Sequence, residues 1–113
     1  MTILERLKLE LNNQKYFTDD EYKQLLQEEN LNSTDTFNKD THYRKLLETV
    51  LNILNMVAND IDIMRKISDG STEFSVSQAY KNLEERIRRV QLKINSLPTD
   101  EEETDNIIKP FII

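Results

Sequence analysis

Residues 43–57, YRKLLETVLNILNMV, decide the fold, because large apolar side chains recur in them at alternating intervals of four and three residues. The series consists of Tyr43, Leu47, Val50, Leu54 and Val57, and it continues to Ile61 and Met64. This spacing places the side chains on one face of an α-helix. Leu46 and Ile53 widen the apolar stripe, so we expect the helix to contact more than one neighbour. We predict that it extends over about 40–68 and is roughly 40 Å long at 1.5 Å per residue.

The same alternation of four and three returns in a second long stretch, about 76–97, which ends before a proline. Ser75 and Gln78 have the spacing of a capping box, and Phe74 stands where a staple residue belongs. Asp69–Ser71 contains the only glycine and predicts the turn between the two helices. Two apolar faces joined by a short turn predict a long antiparallel helical hairpin.

Two shorter helices are predicted before the hairpin, at about Ile3–Leu11 and Asp19–Glu29. Thr18 and Glu21 predict a capping box at the start of the second helix, and Phe17 is placed to pack onto its first turn. We expect both helices to pack across the hairpin. The predicted fold class is therefore all-α, with residues 1–97 forming one helical domain.

The chain changes character in residues 98–113, which are predicted to form an extended tail. Residues 99–105, TDEEETD, are an acidic spacer without an apolar side chain. The last seven residues hold five large apolar side chains: Ile107, Ile108, Phe111, Ile112 and Ile113. Exposed together, these side chains would favour aggregation, so the segment needs a binding place. It can bind a partner as a strand or in a groove, or it can fold back onto its own hairpin.

Composition argues against several classes of protein. The chain has 113 residues, a single glycine and no cysteine, which excludes a disulfide framework, a thiolate zinc site and a glycine-rich phosphate loop. His42 is the sole histidine and belongs to no nucleophile motif, so we expect a surface side chain rather than a catalytic one. We predict no enzyme activity, no cofactor and no metal. No apolar run approaches the length of a membrane span, and the start is not a secretory signal. These features favour a soluble protein made inside the cell.

The net charge of −6 is unevenly distributed. Residues 1–75 carry 14 acids and 9 bases, residues 76–97 carry 2 acids and 5 bases, and residues 98–113 carry 5 acids and 1 base. The acidic excess argues against sequence-specific binding of nucleic acid. Arg86, Arg89 and Lys93 are at the spacing of one face of the basic helix, and we predict that they bind phosphate or an acidic partner surface, or that they face solvent.

The helices and their connections resemble the small helical head–tail connector (adaptor) proteins of tailed bacteriophages. The resemblance is carried by YFTDDE at 16–21, by VANDID at 57–62 and above all by FSVSQAYKNLEERI at 74–87. It covers about residues 1–97. It implies a structural subunit of the virion neck that assembles as a ring, typically dodecameric, between the portal protein and a downstream neck or tail-completion protein. Genomic DNA passes through such a ring.

The resemblance also implies that a terminal segment, here Ile107–Ile113, reaches a neighbouring subunit or the portal. The implied location is the virion, after synthesis in the host bacterial cytoplasm. The alternative is a small cytoplasmic helical protein of the chaperone or inhibitor type, which binds one partner as a monomer or dimer. The expected interface residues are Arg86, Arg89, Lys93, Ile107, Ile108, Phe111, Ile112 and Ile113.

Overall fold

The computed structural model describes residues 1–60, 63 and 73–98. Residues 1–60 and 73–98 form four α-helices, α1 (Ile3–Glu10), α2 (Asp19–Glu28), α3 (Lys39–Ala58) and α4 (Glu73–Ser96), and Ile63 is helical as well. No strand occurs in the described ranges, and an isolated bridge joins Thr2 to Thr36. The prediction of an all-α fold is therefore confirmed for this part of the chain. The predicted turn at 69–71 and the tail from residue 99 lie outside the described residues.

The predicted end of the third helix is wrong, because α3 stops at Ala58 instead of continuing to residue 68. Asn59 caps it, and the Asp60 backbone N–H donates to the Val57 carbonyl over only three residues, 3.1 Å away. The Asp60 carboxylate then accepts from the backbone N–H of Ile63 at 3.1 Å. A short acidic side chain that bonds the backbone ahead of it competes with helical pairing. The apolar spacing alone does not reveal such a break.

The predicted cap of the fourth helix is also wrong. The helix begins at Glu73, so Ser75 lies inside its first turn and cannot be the N-cap. Gln78 does not reach back towards the helix start; its side-chain amide donates to Asn82, one turn further on, at 3.1 Å. The spacing of a capping box thus also fits a pair of polar residues within a helix.

The hydrophobic core forms around α3. Its buried side chains meet those of the other three helices: Ile3, Leu7 and Leu11 from α1 and its C-cap, Tyr22, Leu25 and Leu26 from α2, Leu46, Val50, Ile53, Leu54 and Val57 from α3, and Leu83 from α4. The two-sided stripe predicted for α3 is confirmed over 43–57. Thr49 is buried among these residues, and its hydroxyl donates to the Lys45 carbonyl at 3.0 Å, which satisfies it without a partner from another helix.

Contacts between α3 and α4 join opposite ends of the two helices. Arg44, in the second turn of α3, donates from its guanidinium to the Ile94 carbonyl at 2.9 Å and to the Leu97 carbonyl, both at the end of α4. Ala58, at the end of α3, lies with Tyr80 of α4 along a shared groove. The described parts of α3 and α4 therefore run in opposite directions.

Two helix ends use asparagine where glycine is common. Asn12 and Asn30 have φ values of 58° and 62°, the left-handed conformation that asparagine tolerates better than most residues. Beyond α2, the Leu31 N–H donates to the Leu26 carbonyl at 3.0 Å, and the equivalent bond after α1 joins Asn13 to Lys8 at 2.8 Å. Both helices thus end in a Schellman-type turn, which explains how a chain with one glycine reverses direction here.

The predicted capping box at the start of α2 is confirmed. The Glu21 backbone N–H donates to the Thr18 hydroxyl at 3.2 Å, and the Thr18 N–H donates to the Glu21 carboxylate at 2.8 Å. Phe17 packs edge-on against Tyr22, with ring centroids 6.1 Å apart. The same device caps α1 through Thr2 and Glu5, a pair that the sequence analysis missed.

Replacing Leu54 by alanine tests the central position of α3. Leu54 has no exposed surface, so the truncation should lower the free energy of unfolding by about 2–5 kcal/mol. Leu9→Ala is the control, because Leu9 is 47% exposed, and it should change stability by less than about 1 kcal/mol. Urea titration followed by circular dichroism measures both. Equal losses for the two variants would contradict the described core.

Glu29, the C-cap of α2, provides a pH-dependent test. Partial burial, and then the neighbouring Glu48 carboxylate, raise the pKa of Glu29 above its ordinary value. When folding raises the pKa of a carboxyl group, the stability that the group contributes is complete below its pKa in the unfolded chain. This contribution is lost as the pH rises through its pKa in the folded chain. Glu29→Gln should therefore raise the melting temperature at pH 7 and leave it unchanged near pH 3. A lower melting temperature at pH 7 would contradict this reasoning.

Candidate interaction surfaces

The three predicted interface cations of α4 do not share one environment. Arg86 donates from its guanidinium to the Tyr16 hydroxyl at 2.9 Å, in the segment between α1 and α2. The ammonium of Lys93 lies 5.1 Å from the centre of the Tyr43 ring, and its contact with the Tyr43 hydroxyl raises the pKa of Lys93. Arg86 and Lys93 therefore contact tyrosines of other elements, although Lys93 is exposed, whereas Arg89, whose side chain is 69% exposed, contacts a residue of its own helix.

Arg88 and Arg89 form the outward-facing basic pair of α4. The Arg88 side chain is 62% exposed, and both guanidinium groups contact the Glu85 carboxylate, at 2.7 Å and 3.4 Å. The hydrogen bond from Arg88, with the positive charge of both arginines, lowers the pKa of Glu85. The pair retains one net positive charge at neutral pH. Sequence reasoning placed Arg88 only near the basic face, because its orientation depends on where α3 packs.

A second exposed surface is acidic and belongs to α2. Its carboxylates point away from the buried side of that helix, which holds Tyr22, Leu25 and Leu26. The exposed members are Asp19, Asp20, Glu21 and Glu28, and we call them the acidic face. Asp19 forms an ion pair with Lys8 of α1 at 2.9 Å, whereas Lys23 is the one exposed base of α2 itself. The acidic face and the basic pair thus lie on different helices.

A groove of about 620 Å³ lies between α3 and α4, and we call it the α3–α4 groove. Its apolar lining is provided by Leu51, Ala58, Tyr80, Ile87 and Leu92. Polar residues, among them Asn55, Glu84 and Arg88, complete the lining. Apolar side chains with a few polar ones beside them are the usual character of a site that receives a peptide segment.

Cations gather where the end of α4 meets the start of α3. The side chains of Arg6, Lys39 and Lys93 all lie over the ring of Tyr43, with cation-to-centroid distances of 5.5, 5.3 and 5.1 Å. A smaller recess of about 350 Å³ beside them is lined by Lys39, Arg44, Lys45 and Pro98. We call this region the basic recess. It shares no lining residue with the α3–α4 groove, and on α3 the helical steps from Arg44 through Glu48 to Leu51 lead from one to the other.

No chemistry typical of an active site is found in the described part of the chain. No three histidine, aspartate or glutamate side chains group there as metal ligands, and none of its helices is long and apolar enough to cross a membrane. His42 is half-buried; its Nδ1 accepts from the Asn38 backbone N–H at 3.0 Å, so the ring supports the start of α3. The predicted apolar interface residues from Ile107 to Ile113 lie outside the described residues.

Comparison of the chain with protein-family models, with curated proteins and with solved structures finds no match in any of the three.

The Tyr16–Arg86 hydrogen bond generates a test of the site geometry. The bond joins two residues that are 70 positions apart in the sequence. A half-buried hydrogen bond to a charged group should contribute about 1 kcal/mol to the free energy of unfolding. A double-mutant cycle with Tyr16→Phe and Arg86→Met should give a coupling energy of that order by urea unfolding. Additive effects of the two substitutions would contradict the contact and would return Arg86 to the set of free surface cations.

Proposed function

We propose that this chain is a structural subunit of a tailed-phage head–tail connector. In this proposal, copies of the chain form a ring, typically of twelve, between the portal protein and a downstream neck or tail-completion protein, and DNA passes through the ring. The support is the resemblance over residues 1–97 together with the all-helical fold of the described residues. In this proposal the protein is located in the neck of the virion.

One observation carries the assembly part of the proposal. The chain exposes a basic pair on α4, Arg88 and Arg89, and an acidic face on α2, on different helices of the same molecule. Two different complementary patches make a head-to-tail contact, and such contacts generate closed rings when the rotation between subunits allows. We infer that the basic pair of one copy contacts the acidic face of the next.

The overall charge agrees with a conduit for DNA. The chain has 21 acids and 15 bases, so an assembled ring carries a large negative charge. Negative charge repels phosphate and keeps DNA from adhering to the surface it passes. When the basic pair contacts the acidic face of the next copy, its cations are no longer free to attract phosphate.

The proposal is tested by the mass of the full chain in solution, measured by light scattering over a concentration series. We expect a closed oligomer, which Arg88→Glu with Arg89→Glu dissociates. Lys39→Glu with Lys81→Glu is the matched control, because it changes the net charge equally at two exposed positions outside the proposed contact. Exposed ion pairs are screened by salt, so the oligomer should also weaken at about 1 M ionic strength.

A charge exchange makes the experiment specific. Asp20→Arg with Glu28→Arg should also prevent assembly, because Lys23 and the two new arginines then outnumber Asp19 and Glu21 on α2, which leaves both ends of the contact positive. Mixing the two assembly-defective variants should restore the oligomer, since each basic surface then meets an acidic one in an alternating ring of even number. No restoration would contradict the proposed contact. A wild-type chain that stays monomeric at every concentration would overturn the self-assembling ring and favour the alternative, a protein that binds one partner.

A further inference from the structure

We infer that the α3–α4 groove is the docking site of the chain's own apolar C-terminal segment, Ile107–Ile113. The inference stands apart from the connector proposal, because it needs only one molecule. Three observations support it: the groove is apolar and open, the chain leaves α4 at the neighbouring basic recess, and the length and charge of residues 99–113 match what the groove and the recess offer.

The groove has the chemistry that the segment requires. Its lining includes Leu92, which is 55% exposed, and the half-buried side chains of Leu51 and Ile87. Phe111 and the isoleucines of the segment would remove this surface from water, and each Å² of apolar surface so covered contributes about 25 cal/mol. Lys109 is the only charged residue of the segment, and the groove lining offers it one carboxylate, Glu84, beside one like charge, Arg88.

The position at which the chain leaves the helices favours the same occupant. Pro98 lines the basic recess, together with three bases, Lys39, Arg44 and Lys45, and one acid, Asp40. The next seven residues carry five carboxylates and no base. Opposite charges therefore meet where the spacer begins, and this attraction directs the chain along the groove instead of away from it.

The dimensions agree as well. From Tyr80 to Leu92 the groove follows three turns of α4, roughly 18 Å at 1.5 Å per residue. Seven extended residues span roughly 23 Å, so Ile107–Ile113 matches that length. The nine residues from Pro98 to Ile107 reach at most about 30 Å, which exceeds the distance of roughly 9 Å back from Pro98 to the level of Leu92.

The short connection selects the chain's own segment over that of another copy. A flexible linker of this length presents its ligand at an effective concentration in the millimolar range, provided that it spans the two sites. A second copy reaches that concentration only in a concentrated solution or an assembly. At micromolar concentration the docked segment is therefore the one belonging to the same molecule.

Paramagnetic relaxation in solution tests this inference on the full chain, which has no cysteine of its own to remove. A spin label on Asn52→Cys lies one helical turn from the groove residue Asn55, and a label on Lys23→Cys lies on the exposed side of α2. With a dilute, isotope-labelled chain, we expect the label at position 52 to reduce the amide intensities of Ile107–Ile113. The label at position 23 should leave them unchanged.

Two matched substitutions connect the effect to the groove. Leu92→Asp places a charge in the groove, whereas Leu9→Asp places one at a similarly exposed leucine of α1, which is 47% exposed. Both should leave the helical circular dichroism intact, and only Leu92→Asp should restore the segment's amide intensities. Full intensity in the absence of either substitution, or equal loss from both spin labels, would overturn the inference.

Mixed samples separate the two possible sources of the segment. In such a sample, one chain carries the spin label at natural isotope abundance, and the other chain is isotope-labelled without a spin label. Own-chain docking predicts no loss of the amide intensities of Ile107–Ile113 at micromolar concentration. Loss confined to this mixed sample would overturn the inference in favour of exchange between copies.

Discussion

Burial of α3 on several sides is the constraint on which the rest of the structure depends. Leu46, Val50, Ile53 and Leu54 are almost completely removed from water, and no single neighbouring helix could cover all of them. The α1–α2 pair and α4 are therefore both required, and each of them buries only one side of itself. Their remaining sides stay available for charge, which is where the acidic face and the basic pair occur.

The fold was largely predictable from local patterns, and the errors came from competition between local signals. Apolar periodicity identified α3 and its buried side chains because spacing along a helix determines which residues share a face. It failed at Ala58, where Asp60 bonds the backbone ahead of it and ends the helix within an apolar pattern that continues. Ser75 and Gln78 matched a capping pattern that the helix start at Glu73 makes irrelevant.

The candidate surfaces were less predictable, since a charged side chain's partner can come from anywhere in the chain. Nothing near Arg86 in the sequence points to Tyr16, and nothing near Arg44 points to the last carbonyls of α4. Both contacts arise from packing between distant elements, which residue spacing does not encode. The basic character of α4 was predictable, but which of its cations remain outward-facing follows only from the positions of Tyr16 and Tyr43.

The Arg44 contact has a mechanical consequence. A helix that carries a terminal tether ordinarily unwinds from its last turn when the tether is pulled, one backbone hydrogen bond at a time. Here the carbonyls of Ile94 and Leu97 are bonded to the guanidinium of a residue in the central helix. A force applied at Pro98 is therefore transmitted across to α3 and shared with the hydrophobic core, so the end of α4 is anchored in the most deeply buried helix of the described residues.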